Sequence, residues 1–361
     1  MARAAPSRFV FDFTRAVSAD ALTVELAEGD HDYQLRAAGQ SRPDLATLRW
    51  SARLRENLAA LRDHAEAGVS EVAARVGRAL ADFVHVPGQA AALAQIAARA
   101  GAEPVALTVR SNAAEIYLLP WELLSLEGVT HAGFLARLLI RYEWPDSKTA
   151  APLPGLSMTA RGRVVFAWSA AGGKVDAARH VRLIEKAVDA GAGSFEDRGR
   201  ALDVLENASC EALHGCLERA KAAREPVGVL HLLCHGGVDR EGAYGLVLNN
   251  SDDPTAPDLV SPSRLQQLLA PYAGLVRLVV ISACDGGNAG DVGDALGSVA
   301  QALHRAGFPV VLGSRFPLSW DGARVFAAEL YDQLLRELAS VEDAFLAARA
   351  KLSRRASFDW A

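Results

Sequence analysis

The chain has 361 residues, half of them hydrophobic, with 38 basic and 43 acidic side chains and a formal net charge of −5. This length exceeds the usual size of a single hydrophobic core, so we expect two packed lobes. The balanced charge lacks the basic footprint of proteins that bind nucleic acid or anionic membranes, and it argues against both as partners.

The N-terminal segment and the cysteines bear on where the protein works. Residues 1–8 lead into an alternating apolar segment without the apolar core of a signal sequence, and no run is long enough to span a bilayer. The four cysteines are Cys210, Cys216, Cys234 and Cys284, and they lack the closely spaced pairs that are typical of a disulfide framework or a zinc site. We therefore expect a protein of the reducing cytoplasm that needs no metal and no other cofactor.

The first 150 residues predict an α+β lobe. Strand-like alternation marks Phe9 to Phe13, a hairpin of Leu22 to Leu26 with Tyr33 to Arg36 around a turn at Gly29-Asp30, and Pro104 to Val109. From Asp44 to about Gly101, apolar residues recur at intervals of three and four, which predicts amphipathic helices.

A stretch rich in proline and glycine between Trp144 and Gly155 predicts a lobe boundary near residue 150. Beyond it, strand-like segments alternate with helical stretches. The strands are Val164 to Trp168, Leu230 to Cys234, Val276 to Ile281 and Val310 to Leu312, and the helices lie near Ala177, Ser209, Ser263, Asp294 and Gly322. This alternation predicts an α/β domain over residues 151–361, with a mostly parallel sheet flanked by helices on both faces.

Two apolar runs in the second domain end in reactive side chains. Val227 to Cys234 leads into His235 and two glycines, and Leu275 to Ala283 leads into Cys284, Asp285 and two glycines. Such a run closed by glycines is typical of a buried central strand, and open α/β sheets carry their chemistry at the carboxyl ends of these strands. We therefore expect His235 and Cys284 to share one edge of the sheet.

A histidine paired with a cysteine suits nucleophilic catalysis. A free thiol has a pKa of about 8.5 and needs a base to become a thiolate at neutral pH, and histidine titrates at about 6.5. Backbone N–H groups beside a nucleophile stabilise an oxyanion where glycine lets the chain approach the substrate closely. The candidate dyad is His235 with Cys284, and the candidate oxyanion hole is formed by the N–H groups of Gly236 and Cys284.

These residues, in this order, resemble a known family. The segment His231 to Gly236, followed by Ile281 to Asp285, is similar to the motifs of the CHAT domain, a bacterial member of the caspase-like cysteine peptidases. Three further stretches agree with the resemblance: Leu119 to Leu124, Ala302 to Val311 and Ala344 to Leu352. The resemblance implies a peptidase of the caspase and separase clan with His235 and Cys284 as its dyad and no metal. It also implies that residues 1–150 are a degenerate caspase-like or regulatory lobe.

Three neighbours of the dyad have alternative interpretations. His231 lies four residues before His235, so the two would face the same side of one strand, and His231 either supports the dyad through a hydrogen bond or is a core histidine. Cys234 is expected to serve packing. Asp285 either orients the imidazolium or caps a turn, and we leave it out of the catalytic set.

Substrate preference is predicted from four positions. By the resemblance, relatives that cleave after arginine or lysine carry an aspartate where this chain has Ser282, and a hydroxyl cannot pair a buried guanidinium, so we expect no strong basic preference. In the loop from Ser314 to Trp320, Phe316 or Trp320 either forms an apolar wall of the substrate groove or packs in the core. Arg315 either pairs an acidic residue of the substrate or is an ordinary surface arginine.

The sequence therefore predicts a cysteine endopeptidase. By the resemblance it is a bacterial defence or signalling protease that cuts one or few protein partners encoded nearby, for example a gasdermin-like pore former. Four glycines between Gly286 and Gly293 predict a loop that a substrate or an activating sensor protein orders. The alternative is an idle CHAT adaptor or scaffold. A nucleotide-binding α/β protein is disfavoured because no phosphate-binding glycine motif follows the first strand of the second domain.

Overall fold

The structure, a computed structural model, describes residues 7–15, 28–37, 41–62, 69–143, 162–190, 202–239, 244–283, 298–316, 318–337 and 339–355. The chain folds into two compact units, unit 1 over Met1–Pro145 with Trp360–Ala361 and unit 2 over Asp146–Asp359. Of the helices described, none has the length and apolar character needed to cross a membrane.

Unit 1 contains a five-stranded mixed sheet in the order β3-β2-β1-β4-β5. The strands are β1 (Ser7–Arg15), β2 (Gly29–Ala37), β3 (Asp44–Trp50), β4 (Val105–Ser111) and β5 (Leu138–Glu143). The pairs β1/β2 and β2/β3 are antiparallel, whereas β1/β4 and β4/β5 are parallel. The strands predicted at Phe9 and at Pro104 are confirmed.

One face of this sheet forms an aromatic core under the helices of unit 1. These helices are α1 (Ala52–Arg62), α2 (Val69–Val84) and α3 (Ala90–Ala100). Phe13 of β1 stacks on Phe83 of α2 with 5.2 Å between ring centroids and lies 5.3 Å from the ring of Trp121. Trp121 donates its indole N–H to the carbonyl of Ile116 at 2.9 Å. The block from Leu119 to Leu124 thus closes the core of unit 1.

Two local predictions for unit 1 are wrong. The helical segment predicted from Asp44 begins only at Ala52, because residues 44–50 form strand β3, with alternate residues buried against the core. Over so short a window, spacings of three and four fit a helix as well as a strand. Gly29 and Asp30, predicted as a turn, open β2 and pair with β3. The other half of that hairpin, Leu22 to Leu26, lies outside the described residues.

Unit 2 contains a five-stranded parallel sheet in the order β13-β12-β8-β6-β7. Its strands are β6 (Arg163–Trp168), β7 (Leu202–Leu205), β8 (Val227–Leu233), β12 (Val276–Ser282) and β13 (Val310–Gly313). A smaller antiparallel sheet has the order β11-β10-β9, with β9 (His235–Val238), β10 (Tyr244–Asn249) and β11 (Pro257–Val260). The predicted α/β class with a parallel sheet is confirmed.

Helices cover both faces of the parallel sheet. The helices are α4 (Ala177–Ala190), α5 (Cys210–Ala222), α6 (Pro262–Leu269), α7 (Val299–Ala306), α8 (Trp320–Tyr331) and α9 (Val341–Ser353). One face packs against α5, α6 and α7, and the other packs against α4, α8 and α9. Strands β8 and β12 are buried on both sides, as their continuous apolar runs predict. The helix expected near Asp294 falls outside the described residues.

Candidate active site

The carboxyl ends of β8 and β12 lie side by side at one edge of the parallel sheet. The strands are paired in parallel with Ser282 opposite Leu233, and the backbone N–H of Cys234 donates to the Ser282 carbonyl at 3.3 Å. His235 follows Cys234 directly, whereas Cys284 falls outside the described residues, which stop at residue 283 on this side. The two strands that lead to the predicted dyad are therefore neighbours.

His235 belongs to the small sheet and not to β8. The parallel ladder of β8 ends at Leu233, and His235 begins β9, where it pairs with Val247 of β10. His231 and His235 consequently do not share a strand, contrary to the expectation from their even spacing. In the sequence, the only sign that β8 ends before His235 is the pair of glycines after it, because the residues before it continue the apolar run.

Two glycines that sequence reasoning missed lie against the His235 ring. A Cβ on Gly172 would lie 2.8 Å from the Cβ of His235, and one on Gly173 would lie 3.2 Å from its Nε2. Gly173 also has a φ of +137°, a conformation that side-chain-bearing residues rarely adopt. The available signal was the glycine pair shortly after the carboxyl end of β6 (Arg163–Trp168), at the same edge of the sheet.

The ring of His235 also meets Trp320, the first residue of α8. The two rings are 5.7 Å apart at 75°, in an edge-to-face arrangement, and half of the Trp320 surface is exposed. The hydroxyl of Ser319 caps α8 by accepting the N–H of Gly322 at 2.9 Å, which fixes where the helix begins. The Nε2 atom of His235 is buried and has no hydrogen-bond partner within the part of the chain that the structure describes.

His231 lies in the core behind this edge. It is fully buried, and its Nδ1 lies 2.9 Å from the hydroxyl of Tyr331 while its Nε2 lies 2.8 Å from the Oγ of Ser282. Burial, and then the proximity of His180, lowers the pKa of His231 well below its usual range. One of its hydrogen bonds leads to β12, the strand that precedes Cys284, and the other leads to α8, so neither leads to His235.

The remaining predicted positions differ in exposure. Gly236 is half-buried in β9 opposite Leu246. Phe316 is only 4% exposed, as its core-packing alternative requires, and Arg315 is partly exposed between β13 and α8. Cys234 is buried in the apolar cluster under α5, α6 and α7, in agreement with a packing role. Among the described residues, no group of three or more His, Cys, Asp or Glu side chains could hold a metal ion.

A parallel sheet covered by helices on both faces, with a histidine-bearing strand at its carboxyl edge, makes this chain an α/β protein whose architecture is consistent with a caspase-like fold. Comparison with known families matches residues 74–361 to the CHAT domain, well over half of the chain. The chain therefore belongs to the CHAT domain family, which is associated with caspase-like cysteine peptidases. No protein in a curated collection matches it significantly.

Proposed function

We propose that the chain is a cysteine endopeptidase with His235 and Cys284 as its catalytic dyad. The observation that supports this most strongly is the register of β8 and β12, in which Ser282 lies opposite Leu233. Neighbouring strands lie about 4.8 Å apart and successive Cα atoms about 3.8 Å apart, so the residues that leave the two strands start within reach of one another. His235 and Cys284 each follow two residues after that aligned pair.

The partners of His235 suit a general base. Glycine at positions 172 and 173 lets the backbone after β6 pack on the imidazole ring and fix its orientation. The buried Nε2 has no partner in the described chain, which leaves this nitrogen to hydrogen-bond a thiol. The proposed role of His235 is to take the proton of the Cys284 thiol and hold the resulting thiolate as an ion pair.

In the proposed reaction the Cys284 thiolate attacks the peptide carbonyl and forms a tetrahedral oxyanion. The N–H groups of Gly236 and Cys284 stabilise that oxyanion, and β9 is suited to this because alternate N–H groups of an edge strand point away from its partner. His235 then protonates the leaving amine as the C–N bond breaks. Water hydrolyses the acyl-enzyme with His235 again as base, which regenerates the thiol.

The substrate side chain before the scissile bond is proposed to be apolar or neutral. Ser282 offers a hydroxyl where a carboxylate would be needed for a basic residue, and its Oγ already bonds with His231. Trp320 is the better candidate for an apolar wall, because it is half exposed beside His235 whereas Phe316 is buried. Cleavage mainly after acidic residues, bound by Arg315, would contradict this apolar pocket.

We also propose a regulated protease of bacterial defence or signalling, with residues 1–150 as a regulatory lobe. The proposed substrate is one or few proteins encoded nearby, for example a gasdermin-like pore former, and the proposed activator is a sensor protein. This rests on the membership of the CHAT domain family. If the purified chain cleaved its substrate at full rate without any partner, the proposal of an activating sensor protein would be wrong.

The dyad is tested by labelling with a peptide that carries a thiol-directed electrophile and mapping the modified cysteine by mass spectrometry. We expect labelling at Cys284, with loss of labelling in His235→Ala. Cys210 and Cys216 are internal controls, because burial raises the pKa of both thiols. Equal labelling of Cys284 in wild type and in His235→Ala would contradict the dyad and favour an idle adaptor.

A further inference from the structure

A row of polar side chains crosses a mostly apolar core of unit 2, beside the buried ring of His180 on α4, which lies 6.0 Å from the ring of His231. His231 and Tyr331 are 0% exposed and Ser282 is 7% exposed, and around them lie the apolar side chains under α4, α8 and α9. The Tyr331 hydroxyl is 2.9 Å from Nδ1 of His231, and Nε2 of His231 is 2.8 Å from Ser282 Oγ. Polar groups buried in this way are costly unless each finds its partner, and here each does.

The order of the protons in this row follows from burial. Burial keeps His231 neutral, so one ring nitrogen donates and the other accepts, and burial also raises the pKa of Tyr331, which stays protonated. Either order leaves one hydroxyl hydrogen without an acceptor in the described chain: that of Tyr331 if Ser282 donates, and that of Ser282 if Tyr331 donates. Tyr331 is 0% exposed whereas Ser282 is 7% exposed, so the unpaired hydrogen costs less on Ser282. The favoured order has Tyr331 donating to Nδ1 and Nε2–H donating to Ser282 Oγ.

The row joins three elements that all reach the candidate active site. His231 in β8 is aligned with Val280 of β12, and Ser282 lies two residues further along the same face. Tyr331 is the last residue of α8, whose first residue, Trp320, contacts His235. A single helix therefore contacts the ring of His235 at one end and holds His231 at the other.

Ser282 is the last residue of β12, where the strand loses its ladder. Its carbonyl accepts the Cys234 N–H at 3.3 Å, which is longer than the 2.8 Å bond between its side chain and His231. The end of the strand is thus held by a side-chain bond as well as by a backbone bond, and the side-chain bond is the shorter of the two. Two residues later comes Cys284.

We propose that Tyr331 and His231 are positioning residues that hold Ser282, and with it the end of β12, so that Cys284 reacts in the correct place relative to His235. This inference rests on the proposed cysteine peptidase function. Neither residue touches the substrate. Their effect is on how closely the thiol is held against its base, and hence on the fraction of thiolate.

The test is the pH dependence of Cys284 alkylation by iodoacetamide, measured on the full chain by mass spectrometry. Tyr331→Phe removes one hydroxyl and keeps the ring, and Ser282→Ala removes the other hydroxyl. We expect each variant to raise the pH midpoint toward that of a free thiol, about 8.5. We expect each to slow alkylation at neutral pH by about fivefold, the effect of one lost buried hydrogen bond.

The double variant separates a network from two independent effects. Residues in one network show non-additive losses, so Tyr331→Phe combined with Ser282→Ala should slow alkylation no more than either change alone. The matched control is Tyr272→Phe, because Tyr272 is also fully buried and its hydroxyl bonds with His214 Nδ1 at 2.8 Å and donates to Glu218 at 2.6 Å. This control should leave the midpoint of Cys284 unchanged.

Two outcomes overturn the inference, and they differ from failure of the proposed function. The network is refuted if the wild-type midpoint is low and depends on His235, yet Tyr331→Phe leaves it unchanged, or if the double variant shows the product of the single losses. If Tyr331→Phe fails to fold, Ser282→Ala decides alone by the same midpoint. A wild-type midpoint that is unaffected by His235→Ala removes both the dyad and the network.

Discussion

Gly173 meets two requirements at one position. Its φ of +137° lies in a region that favours glycine, and a Cβ there would stand 3.2 Å from Nε2 of His235. The first requirement concerns stability, whereas the second concerns the nitrogen proposed to serve as the base. A substitution at this residue therefore affects the base as well as the fold.

Gly173→Ala should lose activity beyond its effect on stability. We expect about 1 kcal/mol of destabilisation from the strained backbone and at least about tenfold slower labelling of Cys284, because the methyl group displaces the His235 ring. Thermal unfolding and labelling rates measure the two effects. The matched control is Gly29→Ala, at a φ of +150° with nothing within 4 Å of the added Cβ, which should lower stability alone. Equal labelling of Cys284 in both variants would show that Gly173 has no role in the site.

Trp320→Ala tests the proposed apolar wall. An electrophilic peptide with an apolar side chain should label Cys284 about tenfold more slowly in this variant, since an aromatic surface is lost from the pocket. Iodoacetamide, which has no such side chain, should react at a rate close to that of wild type. Phe134→Ala, which removes an aromatic side chain 46% exposed in unit 1, is the control. An equal loss with both reagents would instead assign Trp320 to the orientation of His235.

At the scale of elements, close packing of α2 on the segment after Trp121 makes a second glycine sensitive. A Cβ on Gly77 would overlap the carbonyl oxygen of Leu123 and lie 2.8 Å from Ser125 Oγ. We expect Gly77→Ala to lower the free energy of unfolding by about 1–3 kcal/mol, as overpacking does. Gly101→Ala, where the nearest atom would be 3.8 Å away, should change it little. Equal unfolding midpoints for the two variants would contradict the close approach.

The two central strands of unit 2 could be predicted because both are buried on each face. Their continuous runs of apolar residues indicate buried strands. Because the two strands are parallel, the residues that follow them lie at the same edge of the sheet. Strand β3 could not be predicted, because seven residues with spacings of three and four satisfy two periodicities until the pairing partner is known. The change of sheet between His231 and His235 could not be predicted for the same reason, because it depends on the pairing of β9 with β10 and not on the local sequence.

Within the candidate site, the sequence indicated His235, Gly236 and Cys284 from the residues alone. For Gly172 and Gly173 it offered only a glycine pair after β6, which does not by itself indicate a contact with His235, because that contact depends on the order of β6 and β8 in the sheet. It also left His231 between two interpretations. The hydrogen bond to Ser282 requires two strands in register, and the bond to Tyr331 requires a helix one hundred residues away.

At the scale of the whole molecule, buried histidines couple stability to pH. Burial lowers the pKa of His131 in unit 1 and of His180 and His231 in unit 2. Each group is held neutral in the folded chain but binds a proton in the unfolded chain below about pH 6.5. The unfolded state therefore binds more protons there, so stability is lost as the pH falls through that value and is restored above it.

The unfolding temperature should accordingly decrease as the pH is lowered from about 7.5 to about 5.5. Each such histidine lowers the free energy of unfolding by up to about 1.4 kcal/mol per pH unit. Calorimetry at both pH values measures this. His180→Phe, which replaces one of the three by an aromatic ring that cannot be protonated, should reduce the difference. The same unfolding temperature at both pH values would contradict the neutral buried state.

Proteolysis itself is decided by new protein N-termini in cells that express the chain with its genomic neighbours, identified by mass spectrometry for wild type, Cys284→Ala and His235→Ala. We expect termini that are present with wild type and absent from both variants, with apolar or neutral residues before the cleavage site. Termini that persist in either variant would contradict a dyad of His235 and Cys284. If no new termini appeared and Cys284→Ala had the same cellular effect as wild type, the result would contradict a peptidase and favour the adaptor function.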